Sequence, residues 1–219
     1  MVLRKFMGIL TITLIVGAAS LAMAGIPDAS RCTVAWDDPG ATGPMVLMNV
    51  PDATGRAFTF ARQSGITPFV DATIRVRVRD AVGDSIINYP SEDVRLESAT
   101  MDSMIICIGG ANADFSTNLD GDTWFIDPLL AGGWSKANTE VVINNVTATE
   151  TVALWHNSPD ITGDGFVNLS DVSRFATDFY LWQDFTIYHF ASDLFYDDQV
   201  NLSDIPRLAA AKAAGSHCP

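Results

Sequence analysis

Residues 72–79 read ATIRVRVR, so Ile74, Val76 and Val78 alternate with Arg75, Arg77 and Arg79. A period of two places the apolar set on one face of a strand and the arginines on the other. Further apolar or alternating runs lie at 45–50, 57–61, 94–96, 104–108, 123–126, 141–143 and 151–154. Between them stand turn formers: Asp52-Ala53-Thr54-Gly55, Asp80 to Asp84, Tyr89-Pro90, Asp120-Gly121, Gly132-Gly133 and Asn144-Asn145. Such residues reach positive φ cheaply or hydrogen-bond their own backbone. Short strands at this spacing across 25–155 predict a β-sandwich.

Beyond residue 156 the period changes. Leu169, Val172, Phe175, Ala176 and Phe179 recur at helical spacing, as do Leu202, Ile205, Leu208 and Ala209, so two short helices are predicted. Pro206 fits the first turn of the second helix if Ser203 caps it, because the missing N–H is not needed there. The chain is thus expected to be mainly β over 25–155, followed by a small α-helical module over 156–219. A module of that length has a marginal core, and a bound ion commonly supplies the missing stability.

The first 24 residues place Arg4 and Lys5 before an apolar run that ends in Ala22-Met23-Ala24. This reads as a signal peptide cleaved before Gly25, giving a secreted or periplasmic protein with no further membrane span. Loss of the leader takes the net charge from −13 to −15. That balance argues against nucleic acid as a partner, since phosphate binding relies on clustered Lys and Arg. The 26 acids comprise 22 Asp and 4 Glu, and Asp favours turns and metal-binding loops over helices.

Much of that Asp lies in a repeat. DITGDGFVNLSDVSRFA at 160–176 aligns with DLFYDDQVNLSDIPRLA at 193–209, and Val-Asn-Leu-Ser-Asp recurs at 167–171 and 200–204. The first copy sets Asp160, Thr162 and Asp164 at positions 1, 3 and 5 of a twelve-residue loop, Gly165 at 6, the Phe166 carbonyl at 7, Asn168 at 9 and Asp171 at 12. Hard cations take six to eight oxygens, and this spacing returns a carboxylate to the ion after a sharp turn at position 6. The second copy offers Asp193, Asp197, the Gln199 carbonyl, Asn201 and Asp204, but has Phe195 at position 3 and Asp198 at position 6. Ca2+ is therefore the expected ion, with the first loop complete and the second weakened by those two residues.

Paired loops of the form D-x-x-x-D-x-x-V-N-x-x-D, each followed by one helix, resemble the dockerin type I family over 159–211. The resemblance implies a paired F-hand, two calcium sites, and docking of an extracellular protein onto a cohesin-like module. It also implies that loop positions 10 and 11, here Leu169-Ser170 and Leu202-Ser203, contribute to partner choice. Phe195, Asp198 and an aromatic connector over 178–190 depart from the family pattern. Residues 71–126 resemble bacterial immunoglobulin-like domains through Thr73 to Gly83 and Thr117 to Gly121, with Asn118 where that pattern has Asp. The fold implied is an immunoglobulin-like β-sandwich followed by a dockerin-like module.

Export allows Cys32, Cys107 and Cys218 to pair. Cys32 could tie the N-terminal segment to the strand that carries Cys107, and Cys218 could pair with either. Phe179, Tyr180, Trp182, Phe185, Tyr188 and Phe190 in the connector are expected to close the small core or pack it on the sandwich. Glu92, Asp93 and Glu97 read as solvated turn residues, and Asn118, Asp120 and Asp122 as a hairpin turn. No Ser, Cys or Asp close in sequence to His156, His189 or His217 suggests a triad or zinc site. The sequence points to binding without catalysis: calcium-dependent docking, cohesin-type or intramolecular, with the sandwich as a binding or spacer domain. The alternatives are a polysaccharide-degrading enzyme or carbohydrate-binding accessory, and a calcium module that is only a structural clamp.

Overall fold

The computed structural model describes residues 25–38, 44–63, 68–100 and 103–219. The signal peptide expected at 1–24 lies outside the described residues. Among the described residues no helix is long and apolar enough to cross a membrane. In chain order the strands are β1 (Thr33–Trp36), β2 (Met45–Met48), β3 (Ala61–Gln63), β4 (Phe69–Val70), β5 (Ile74–Arg77), β6 (Val94–Ser98), β7 (Ile105–Ile106), β8 (Asp122–Phe125), β9 (Ala131–Gly132), β10 (Thr139–Ile143), β11 (Val146–Val152) and β12 (Leu154–Asn157). Two helices follow, α1 (Leu169–Phe185) and α2 (Ile205–Ala214). The protein is mainly β, in several small sheets.

The alternating arginine run forms β5, at the centre of the antiparallel sheet β1-β5-β8. Ile74 and Val76 are fully buried, while Arg77 on the opposite face donates to both oxygens of Asp122 at 2.7 and 3.0 Å. A second sheet runs β11-β10-β6. Its β10–β11 hairpin turns at Asn144-Asn145, whose φ values of 49° and 62° suit asparagine better than a branched residue. The Val34 N–H donates to Glu150 at 2.6 Å, joining β1 to β11. The third sheet, β12-β2-β3-β4, includes one parallel pair in which Leu154 lies opposite Met45 and Asn157 opposite Met48. Ile74, Val76, Val94, Leu96, Phe125, Val141 and Leu154 belong to one shared core.

Two expected strands differ. Residues 57–61 form a 3-10 turn at Phe58–Phe60 before β3 begins. The 151–154 run is broken at Ala153, where β11 ends and β12 starts towards β2.

His156 of β12 is buried within a hydrogen-bonded chain. Its Nδ1 lies 3.0 Å from Asn49 Nδ2 and its Nε2 2.8 Å from Thr139 Oγ1, whose hydroxyl donates to the Leu154 carbonyl at 2.7 Å. Burial pushes the imidazole pKa down to about 4.

A second core joins Val50 of the β region to Ile161, Val167, Phe175, Leu194, Val200 and Leu208. A third, smaller one sets Phe190 and Tyr196 on Val46, flanked by Trp134 and Trp155. The connector aromatics divide accordingly. Phe179, Trp182 and Tyr188 pack on the second core, whereas Tyr180 and Phe185 are exposed and meet edge to face. The single disulfide joins Cys107 to Cys218, with Cα atoms 5.4 Å apart, and Cys32 is a buried free thiol. Of the pairings that the sequence left open, the structure therefore takes the one that binds the C-terminus to β7 and leaves the N-terminal segment untied.

Candidate metal centre

Each predicted loop is folded around its first aspartate. Asp160 is fully buried; its Oδ1 accepts from the N–H of Gly163 at 2.9 Å and of Asp164 at 3.1 Å, and its Oδ2 from Gly165 at 2.8 Å. Three converging amides wrap the chain around the carboxylate, and Gly163 (φ 70°) and Gly165 (φ 83°) supply the left-handed turns this requires. The position-12 residue closes the loop: Asp171 Oδ1 accepts from Thr162 N and Oγ1, and Oδ2 from Asn168 N at 2.8 Å. That last bond, with Asn168 Oδ1 accepting from Ser170 N, also caps α1. Asn168 Nδ2 reaches Asp164 Oδ2 at 3.2 Å.

The second loop repeats the backbone part of this frame, without a counterpart to the Thr162 hydroxyl bond. Asp193 Oδ1 accepts from Tyr196 N at 2.5 Å and Asp197 N at 3.3 Å, and Oδ2 from Asp198 N at 2.9 Å. Asp204 accepts from Phe195 N at 2.7 Å and Asn201 N at 2.8 Å, and Asn201 Nδ2 reaches Asp197 Oδ2 at 3.3 Å. Here Tyr196 (φ 64°) and Asp198 (φ 59°) take the left-handed conformation without glycine. Asp204, and not the expected Ser203, stands at the N-cap of α2; with both oxygens on these amides its side chain makes no capping bond, and Pro206 falls in the first turn.

Burial, with the carboxylates of Asp171 and Asp164 nearby, pushes the Asp160 carboxyl up to about 6. Burial likewise raises Asp193 to about 7, with Asp204 and Asp197 adding repulsion, and Asp204 to about 6. Carboxyls crowded in this way are relieved by a cation. Among the described residues no three His, Cys, Asp or Glu side chains are gathered so as to hold a metal by themselves. Asp160 and Asp171 each have both oxygens engaged by loop amides. By donor chemistry the first loop still fits a hard cation, which takes mixed oxygens: the carboxylates, the Thr162 hydroxyl, the Asn168 amide oxygen and the Phe166 carbonyl. The second lacks an oxygen at position 3.

Phe195 has another use there. Its ring lies between two guanidinium groups, Arg62 at 4.5 Å and Arg207 at 4.6 Å, and Arg62 Nη1 donates to the Phe195 carbonyl at 2.8 Å. Arg62 also lies 4.9 Å from the Phe69 ring, which has Arg56 at 4.7 Å. The result is a ladder, Arg56-Phe69-Arg62-Phe195-Arg207, running from the β3–β4 edge into the second loop. Sequence reasoning missed it, and the one mark it left was an aromatic where a ligand was expected. Asn157 was missed as well: buried at the end of β12, it donates to the Asp193 carbonyl at 2.7 Å and accepts from Tyr196 OH at 2.5 Å.

The first loop is fastened differently. The Gly133 N–H donates to the Asp160 carbonyl at 2.7 Å, and a side chain at Gly132 would collide with the Asp160 carboxylate. Gly132-Gly133 is thus a seat for the loop more than a free turn. The C-terminal tail runs beside it, with Cys218 N donating to the Gly165 carbonyl at 2.9 Å and the His217 ring stacked on Phe166.

At the partner positions, Leu169 and Leu202 are 72% and 68% exposed. Ser170 Oγ donates to Asn168, and Ser203 N donates to Asn201. Between α1 and α2 an apolar cavity of about 530 Å³ is lined by Val172, Phe175, Phe179, Leu202, Ile205 and Leu208, among others. Elsewhere, Glu97 pairs with Arg95, and the Asn118 side chain accepts from the N–H groups of Asp120 and Asp122 in a turn. Ser192 donates to Asp178 at 2.7 Å and His189 lies 3.8 Å from the same carboxyl. The acid, which also pairs with Arg174, thus sits between hydroxyl and imidazole, an order that does not place the imidazole against the serine as in a Ser-His-Asp triad.

No family model matches the chain, and no curated protein matches it. A solved structure described as the Lin-41 filamin domain covers 58% of this chain and 95% of its own at 13% identity and a TM-score of 0.29.

Proposed function

We propose that the protein is an exported calcium-binding protein that acts by docking, with an immunoglobulin-like sandwich over 25–155 and a dockerin-like pair of ion loops over 156–219. The observation that carries this reading is the recurrence of one backbone frame around Asp160 and Asp193, with calcium-type donors complete in the first loop and short of one at position 3 in the second. An apolar face between α1 and α2, with Leu169 and Leu202 exposed at its loops, supports docking onto an extracellular, cohesin-like protein. Calcium bound there would neutralise the loop carboxylates, while the chain's own residues hold the loops in shape and present the helices. The test is calorimetric titration of Ca2+ into chelator-stripped protein, followed by surface binding to a cohesin module. At least one equivalent should bind, and Leu169→Asp with Leu202→Asp should abolish calcium-dependent capture. Less than one equivalent per chain removes the reading.

A second reading, an intramolecular clamp, is favoured by the Cys107–Cys218 bond and the arginine ladder. Under it, stripping calcium lowers the melting temperature of the β region and helices together, in a single transition, and no external partner is retained.

A further inference from the structure

The chain carries 26 acids against 13 bases, so an arginine has no shortage of carboxylates to meet. Arg31, Arg75, Arg77, Arg95 and Arg174 each lie within 3.8 Å of one. Arg56, Arg62 and Arg207 form no such ion pair among the described residues, yet they are gathered in one place. Each also has a buried nitrogen without a hydrogen-bond partner: Arg56 Nε, Arg62 Nε and Arg207 Nη1. Arg62 is only 6% exposed.

Stacking on Phe69 and Phe195 accounts for the faces of these guanidiniums. Arg62 Nη1 donates to the Phe195 carbonyl, but one nitrogen of each guanidinium is left without an acceptor, and buried charged donors are costly in that condition. Arg207 feels the carboxylates of Asp204 and Asp193 through space, but more weakly than the repulsion of Arg62. Burial holds Arg56 and Arg207 below the usual guanidinium range, with repulsion from Arg207 adding to it at Arg56 and from Arg62 at Arg207.

Beside the ladder lies a cavity of about 530 Å³, separate from the one between the helices. Its charged lining consists of Arg56 and Arg207; Met48, Val50, Pro206 and Ala211 supply apolar wall, and Thr54 a hydroxyl. A space of that size with mostly apolar walls and two convergent cations has the form of a small-ligand site. Guanidinium edges recognise carboxylate, sulfate and phosphate groups through paired, charge-assisted hydrogen bonds.

We propose that this cavity binds a small organic oxyanion, its charged head on the guanidiniums of Arg56 and Arg207 and its body against Met48, Val50 and Ala211. This site adjoins the second loop through Arg207 and Phe195, but none of the loop oxygen donors named above lines it.

The test is calorimetry on the chain from Gly25 onward, at fixed calcium and ionic strength, with benzenesulfonate, benzoate and inorganic sulfate as probes. One aromatic anion should bind at one equivalent, and more tightly than sulfate; which of the two binds separates tetrahedral from planar head groups. Losing one charge-assisted donor costs about tenfold or more in affinity, so Arg207→Gln should weaken binding by that factor. Ala210→Trp, which fills the cavity from the exposed side of α2 without altering an arginine, should abolish binding while leaving the circular dichroism spectrum unchanged. Arg79→Gln, away from the cavity, should leave affinity unchanged. Failure of both aromatic anions to bind, or binding indifferent to Arg207→Gln and Ala210→Trp, overturns the assignment whatever the calcium stoichiometry proves to be.

Discussion

The two aspartate loops share a backbone frame and differ in how they are fastened. At 160–171, glycines take the left-handed positions and a Gly-Gly seat, the C-terminal tail and a disulfide hold the loop in place. At 193–204, Tyr196 and Asp198 take the same positions, and arginine stacking with Asn157 does the holding. The aspartates at positions 1 and 12 therefore suffice to set the loop's shape, since they collect the same amides in both copies. Positions 3 and 6 are free to be reused, and in the second copy position 3 has become a point of attachment.

The comparison can be broken most severely at the covalent link. Replacing Cys107 and Cys218 together by Ser should cost about 5 kcal/mol, the chain-entropy value for so long a loop, read by chemical denaturation. Hydrogen exchange should rise across 160–171 and the tail while 193–204 stays protected. Next comes acid. The His156 imidazole titrates at about 4 when folded against an ordinary 6.5, so the unfolded chain takes up its proton first as pH falls. This contribution to stability is complete above pH 6.5 and is lost towards pH 4, amounting to about 3 kcal/mol. His156→Gln should flatten the stability profile over that window. Because β12 leads into Asn157, loosening should register first at the second loop.

Phe195→Ala removes two cation–π contacts and should cost about 1–2 kcal/mol, with exchange rising at 193–204 and not at 160–171. The smallest effects come from swapping position 6. Asp198→Gly should gain about 0.5 kcal/mol by relieving a left-handed residue, and Gly165→Asp should lose about 1 kcal/mol. Equal responses in both directions would mean that the frames are not equivalent.

Local signals were legible in the sequence. The 72–79 alternation became β5, Asn144-Asn145 became the β10–β11 turn, and the repeat fell on two matching loops. What the sequence hid depends on partners far apart along the chain. Phe195 is explained by Arg62, 133 residues away, and Cys107 by a cysteine 111 residues later. Gly132 looks like any turn glycine until Asp160 is placed against it. Period and spacing report what a residue does among its neighbours, and none of these contacts is between neighbours.

The parallel pairing of β12 with β2 bears on how the protein is made. Met45–Met48 waits for a partner that emerges from the ribosome more than a hundred residues later, on the same piece of backbone that leads into the first aspartate loop. Until then the amides and carbonyls along that side of β2 have nothing to bond. A chain halted before Leu154 would carry a bare edge ready to pair with another molecule, so late translation arrest should yield aggregates and no folded fragment.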